Sequence, residues 1–242
     1  MLASSSIQRM FQYLAPRYDL WNHLASCCLD DYWRRTAIGL IPPGSRVLDL
    51  CTGTGELALK MLPRLGPKGQ VVGLDFASNM LAVASRKTRP LSRATQASAA
   101  YVLGDAVALP FPENTFDCLI NGFAMRNMLP AADRVLDEMW RVLRPEGRLI
   151  ILDICWPQSA LLARLYRWYL RWIIPVQARL LYRSGQPFRY LRESILEFPP
   201  PQEFCARLAA HGFGDVAFMP LSAGISGIFT GIKHQRRAPC RA

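Results

Sequence analysis

The chain has no C-x-x-C pair and only three histidines among its 242 residues. Its seven cysteines, at 27, 28, 51, 118, 155, 205 and 240, are scattered and odd in number, so they read as reduced thiols and not as a disulfide framework. His23, His211 and His234 stand apart from the cysteines and from each other, which gives no zinc spacing and leaves no metal expected. Nowhere do 18 uncharged apolar residues follow one another, and residues 1–10 lack the apolar centre of a signal peptide. The expectation is a cytoplasmic protein that does not span a membrane. Acid is missing locally: residues 156–192 hold seven arginines and no acid, and residues 233–242 hold four Lys or Arg and no acid. The rest of the chain is balanced, so the net charge of +11 is local and points to a docking surface.

What is present is organised around Val47-Leu48-Asp49-Leu50-Cys51-Thr52-Gly53-Thr54-Gly55-Glu56-Leu57-Ala58. A short apolar run ends at a carboxylate, a Gly-x-Gly-x-x-Ala turn comes next and an apolar-periodic segment begins, the pattern of strand, tight turn and helix start in a βαβ unit. Gly53 is expected to make the sharp turn, Gly55 to let the backbone approach a ligand, and Ala58 to let the helix pack close to the sheet. The next strand, Val71 to Leu74, ends at Asp75, placed to accept both hydroxyls of an adenosine ribose. A third, Ala100 to Leu103, delivers Gly104-Asp105-Ala106, whose carboxylate can take the adenine amino group. Asp49, at the first strand tip, would repel a pyrophosphate and suit the ammonium of a methionine tail. Acids after three successive strands describe a pocket for a cationic nucleoside without phosphate. S-adenosylmethionine fits that description; NAD does not.

At 242 residues the chain has room for one α/β domain with a sizeable core. Residues 1–42 read as a helical lid, with Met10, Phe11, Leu14 and then Leu20, Trp21, Leu24 at helical spacing around Pro16. Its polar residues Arg17, Tyr18, Asp19, Asn22 and His23 either serve the site or cap and solvate the helices. Residues 43–155 read as the cofactor core: Ser78 caps a helix, Thr88 to Ala99 is a polar loop, Cys118 to Asn121 is a buried strand ending at Gly122, and Ala131 to Leu143 is a helix. Arg144 to Gly147 then turns into a strand over Arg148 to Ile154. Five strands alternating with helices predict a doubly wound, mostly parallel sheet of Rossmann type. Residues 156–198 interrupt that rhythm as a helical insertion. There Arg164, Arg167 and Arg171 share one arc, with Leu161, Leu162, Leu165, Trp168, Tyr169, Trp172 and Ile173 on the other side, the profile of a helix at a membrane interface or of one packed with a solvated Arg face. Residues 199–233 should add a helix and two strands, and 234–242 a basic tail.

These residues resemble one family, the S-adenosylmethionine-dependent C-methyltransferases of ubiquinone and menaquinone biosynthesis, class I methyltransferases. The likeness runs from Met10-Phe11 to Lys233. It is carried by Arg17-Tyr18-Asp19-Leu20-x-Asn22-His23, the Val47–Gly55 stretch, Gly73-Leu74-Asp75-Phe76 and Asn114-Thr115-Phe116-Asp117, and above all by Arg126-Asn127 together with Tyr190-Leu191-x-Glu193-Ser194-Ile195 and Gly224-Ile225. The resemblance implies cofactor contact at Thr54, Asp75, Asp105 with Ala106, and the backbone near Gly122. It implies catalytic work for Arg126, supported by Asn127 and Tyr18. The chain departs from the family in Phe123-Ala124-Met125 before Arg126, in Asp153 where a Glu is usual, and between Pro175 and Pro187.

On that reading the substrate is a lipid-soluble quinol, either a demethylmenaquinol or a benzoquinol precursor of ubiquinone. The enzyme would sit peripherally at a membrane, and a homodimer stays open. Arg126, whose pKa is too high for a base, would either stabilise the ring oxyanion or tie its loop to an acid of the lid. His23 is either a base for the ring proton or a structural residue. Two rivals remain. A nucleic-acid methyltransferase would use the basic surface, although Asn121-Gly122-Phe123-Ala124 lacks the Pro-Pro-aromatic cluster that grips a flipped base, so no nucleic acid is expected. The other is a membrane-docked subunit that keeps the fold without turnover.

Overall fold

The computed structural model of the chain describes residues 17–177 and 186–234. The expected helical turn around Met10, Phe11 and Leu14, residues 178–185 and the basic tail beyond His234 lie outside the described residues. Seven strands form one sheet: β1 (Arg46–Leu50), β2 (Gln70–Asp75), β3 (Ser98–Leu103), β4 (Phe116–Gly122), β5 (Leu143–Ile154), β6 (Phe213–Leu221) and β7 (Ser226–Lys233), in the order β3-β2-β1-β4-β5-β7-β6. The first five are parallel, and β7 inserts antiparallel between β5 and β6. The doubly wound, mostly parallel sheet and the final strand pair are therefore as the sequence predicts.

Both faces of the sheet are covered, and the central strands alternate between them with period two. Leu48, Leu50, Leu119, Leu149 and Ile151 point to one side, against helix α5 (Ala132–Val142) and helix α8 (Pro201–Ala210). Val47, Ile120, Ile150 and Leu152 point to the other, against α2 (Leu29–Gly39) and α3 (Glu56–Leu65). In front of the strand ends lies α1 (Tyr18–Ala25), separated from α2 by Cys27 and Cys28, both with positive φ. Helix α6 (Ala160–Trp168) runs into a widened turn over Tyr169–Ile173, and α7 (Gln186–Glu197) comes after the undescribed segment. Trp21 of α1, Leu170, Ile174 and Ile195 form a small apolar cluster that holds these helices together.

Three local expectations are corrected. Thr88 to Thr95 is not a loop but the second half of α4 (Ser78–Thr95), which runs through Pro90. Thr88 is buried, with its hydroxyl 2.9 Å from Ala84 O and from the Tyr101 hydroxyl, and this attachment to β3 keeps the segment helical despite the proline. Ser78 caps nothing, because the N-cap is Ala77, whose N–H donates to Asp75. Arg144 to Gly147 lies inside β5, where Leu143 pairs with Phe116 before a register shift.

The glycine turn also divides its labour differently from the expectation. Gly53 has φ +55°, and a Cβ there would meet nothing within 4 Å, so Gly53 is where the backbone stands open to a ligand. Gly55 has φ +79°, and its Cβ would lie 2.8 Å from Ala84 Cβ and 3.1 Å from Ala84 Cα, so Gly55 serves the packing of α3 against α4. Gly55→Ala combines left-handed strain with overpacking and should lower stability by roughly 2–5 kcal/mol, whereas Gly53→Ala carries only the strain, about 1–2 kcal/mol. Denaturant midpoints of the two variants measure this; equal losses would contradict the division.

Candidate active site

The strand order reverses between β1 and β4, so the connections leaving their carboxyl ends diverge and open a crevice, the position where open α/β sheets bind ligands. Its wall is built from the residues just past each strand: Cys51 to Thr54 after β1, Asp75 and Phe76 at the end of β2, Gly104 to Ala106 after β3, and Gly122 to Ala124 with Asn127 and Met128 at the end of β4. Tyr18 and Asp19 of α1 and Arg34 of α2 close it from the front. Of the residues singled out in the sequence, Gly53, Thr54, Asp75, Asp105, Ala106, Gly122, Asn127 and Tyr18 lie on this wall.

Asp75 is the most constrained of them. It is 4 % exposed, and its Oδ2 accepts from Gly53 N at 2.8 Å while Oδ1 accepts from Ala77 N at 2.9 Å. Burial pushes its carboxyl up, and the backbone N–H groups of Ala77, Gly53 and Phe76 pull the other way. Held in this way, Asp75 presents a fixed carboxylate edge on the cavity wall, an acceptor for a ribose hydroxyl. Asp105 is exposed at the rim and accepts from Val107 N at 3.1 Å. Asn127 brings a buried Oδ1 that has no hydrogen-bond partner among the described residues, an acceptor waiting on the wall.

Asp49 and Gly55 do not reach the cavity surface. Asp49 is fully buried beneath the turn, and its Oδ2 accepts from Thr52 Oγ1 at 2.6 Å. Burial pushes its carboxyl up to about 6, against that hydrogen bond and the nearby Arg34. Its influence on a ligand runs through the turn it braces and through its charge, not through contact.

A larger, apolar cavity of about 390 Å³ adjoins the first. Trp21, Trp33, Tyr166, Trp168 and Tyr169 line it, and Arg126 is on its wall. Phe123 and Arg34 belong to both walls and so form the partition. Of the two readings of Arg126, the one that ties its loop to an acid names the wrong partner: the acid is Asp153 on β5 and not a lid residue. Arg126 Nη1 donates to Asp153 Oδ1 at 2.7 Å and to Phe123 O, and Arg126 N donates to Asp153 Oδ2 at 3.0 Å. His23 lies on neither wall; its Nδ1 is 2.9 Å from Asp30 Oδ1, and only Asp30 reaches the larger cavity.

Sequence reasoning passed over Arg34, Glu56, Lys87 and Tyr166. Lys87 of α4 bridges Asp19 and Glu56 Oε1, the latter at 2.7 Å, and Thr54 Oγ1 donates to Asp19, so α1 is tied directly to the glycine turn. Arg34 was visible in principle, since Asp30, Trp33, Arg34, Ala37 and Ile38 repeat on the buried stripe of α2 and an ion pair there is out of place. Burial pushes the Tyr166 phenol up, which keeps it a hydrogen-bond donor on the cavity wall.

Comparison with known proteins agrees with this geometry. A model of the ubiE/COQ5 methyltransferase family matches residues 1–233. The ubiquinone/menaquinone biosynthesis C-methyltransferase UbiE of Geobacter sulfurreducens is 39% identical over 94% of this chain and 88% of its own length. The demethylmenaquinone methyltransferase of Thermus thermophilus is 40% identical, covering 92% of this chain and 99% of its own. Among solved structures, a SAM-dependent methyltransferase of Thermotoga maritima superposes with a TM-score of 0.61 at 17% identity, over 93% of this chain and 98% of that one, a likeness in fold. With a family match over almost the whole length and relatives of this identity, the chain belongs to the ubiE/COQ5 methyltransferase family.

Proposed function

We propose that this protein transfers a methyl group from S-adenosylmethionine to a ring carbon of a reduced prenylated quinone, a demethylmenaquinol or a benzoquinol precursor of ubiquinone. The observation that carries the reading is the pair of adjoining cavities with unlike walls. The smaller presents Asp19, Glu56, Asp75 and Asp105, which suits a cationic nucleoside, and Gly53 leaves room for close approach. Asp75 would hold the ribose, Asp105 with Ala106 the adenine, and the backbone near Gly53 and Gly122 the remainder. When bound, S-adenosylmethionine supplies an electrophilic sulfonium methyl group.

The larger cavity supplies an aromatic slot for a flat ring, and the chain's own groups there have distinct work. Arg126 is 8 % exposed and anchored by Asp153, so its position is fixed before substrate enters. Its charge stabilises the ring oxygen as the oxygen becomes anionic, which raises electron density at the neighbouring carbon. Asn127 and Tyr18, on the other side of the partition, hold the donor end in register. The tryptophan-rich wall excludes water and strengthens each of these interactions.

The same reading extends to the membrane. Leu161, Leu165, Trp168, Trp172 and Val176 form an exposed stripe beside the mouth of the apolar cavity, between 55% and 70% exposed, and Arg164, Arg167 and Arg171 are exposed on the same segment. Among the described residues no helix is long and apolar enough to cross a bilayer. The stripe would rest in the interface while a prenyl tail passes from lipid into the cavity. With each Arg near an anionic surface contributing about 1 kcal/mol, replacing all three by Glu should abolish sedimentation with anionic vesicles. Wild-type protein that stays in the supernatant at low salt would contradict this part.

The role of Arg126 has a test that separates chemistry from scaffolding. Arg126→Lys keeps a charge for Asp153 but loses the planar fork, so single-turnover methyl transfer to a quinol should fall by roughly 10²–10³ with little change in denaturant midpoint. Arg126→Ala leaves Asp153 buried and unpaired, and should cost about 3–5 kcal/mol. Higher pH, which supplies phenolate directly, should partly rescue the Lys variant. If the Lys variant loses rate only in step with stability and gains nothing from pH, Arg126 is structural.

A further inference from the structure

Arg34 is the one basic residue on the described wall of the smaller cavity, facing four acids. Its side chain is 7 % exposed, and its guanidinium carbon stands 4.9 Å from the centre of the Phe123 ring. Its hydrogen bond among the described residues is a long one, Nε to Asp30 Oδ2 at 3.5 Å. Asp30 is more closely engaged by His23 Nδ1 at 2.9 Å and Ser26 Oγ at 3.0 Å. Neither terminal nitrogen of Arg34 has a partner among the described residues. A buried cation with its two-nitrogen fork unspent is costly unless a ligand completes it, and a planar fork matches a carboxylate in bidentate fashion.

We propose that Arg34 binds the α-carboxylate of the methionine tail of S-adenosylmethionine, deepening the cofactor reading above and resting on it. The placement along the cavity supports this. Asp75 and Asp105, at the ends of β2 and β3, serve the nucleoside, whereas Arg34 lies at the glycine-turn end. There it lowers the carboxyl pKa of Glu56 and opposes the rise at Asp49, and it shares a shallow recess with Asp19 and Glu56. In an acid-rich wall that suits the sulfonium and ammonium, the carboxylate is the one part of the ligand that needs a cation. Because Arg34 also forms the partition with Phe123, filling this position would stiffen the wall of the quinol cavity.

The test compares S-adenosylmethionine with its decarboxylated analogue, which keeps the nucleoside, sulfonium and amine and lacks only the carboxylate. Affinities of both are measured by calorimetry for the wild-type chain, Arg34→Gln and Arg34→Lys. The ratio of the two affinities should drop about 10- to 100-fold from wild type to Arg34→Gln, through weaker binding of the intact ligand, with Arg34→Lys in between. Binding stoichiometry reports the folded fraction, so a less stable variant does not imitate the effect. An unchanged ratio in Arg34→Gln would overturn the proposal, and would leave the carboxylate to the N-terminus of α3 and Arg34 to the quinol. Failure of the wild type to bind either ligand would overturn the cofactor reading and this proposal with it.

Discussion

A carboxylate without solvent exposure, Asp153, sets the arrangement on which both cavities depend. At the end of β5 it accepts hydrogen bonds from Arg126 N, Arg126 Nη1 and Ile154 N, the last at 2.8 Å. Arg126 in turn donates to Phe123 O, and Phe123 N donates to Leu152 O at 2.7 Å. Phe123, held at positive φ by bonds on both sides, extends its ring to Trp33, 6.1 Å between centroids, and under Arg34. One buried ion pair thus fixes the loop after β4, and the loop fixes the partition. Losing either partner would strand a charge in the interior, the most expensive single defect available to this region.

Much of this is legible in the sequence because its signals are local. The run Val47 to Leu50 alternates between faces as a buried strand must, and Asp75 and Asp105 come directly at the ends of their strands. The readings that fail depend on partners distant along the chain. Whether Gly53 or Gly55 faces the ligand is decided by Ala84, a residue of another helix. Thr88 to Thr95 has loop-like composition, and only the Tyr101 hydroxyl across on β3 shows why it is helical. The partner of Arg126 is not in the lid but 27 residues away on β5, so the Asp in place of Glu at position 153 acquires its meaning only in three dimensions. Asp49, expected at the ligand, is buried within β1 under the turn, where Thr52 Oγ1 donates to it.

The charge distribution and the cavities point the same way. The polar, acid-lined cavity sits over the centre of the sheet, and the aromatic cavity is walled in part by α6, the helix that carries Arg164 and Arg167. On the proposed reading a water-soluble cation and a lipid-soluble ring occupy different cavities, with Phe123 on the wall of both. The acids of the smaller cavity attract a sulfonium and offer nothing to an apolar ring, which gains instead from the aromatic wall.

If methyl transfer runs through a phenolate held by Arg126, as proposed, carbon is methylated on the reduced ring only, since the oxidised quinone has no hydroxyl to ionise. Methyl-labelled S-adenosylmethionine offered with a demethylated quinol, and in parallel with the same compound kept oxidised, measures it directly. Label should appear as a ring C-methyl group with the quinol and be absent with the quinone. Equal labelling of both, or label recovered as an O-methyl ether, would contradict a phenolate route to carbon.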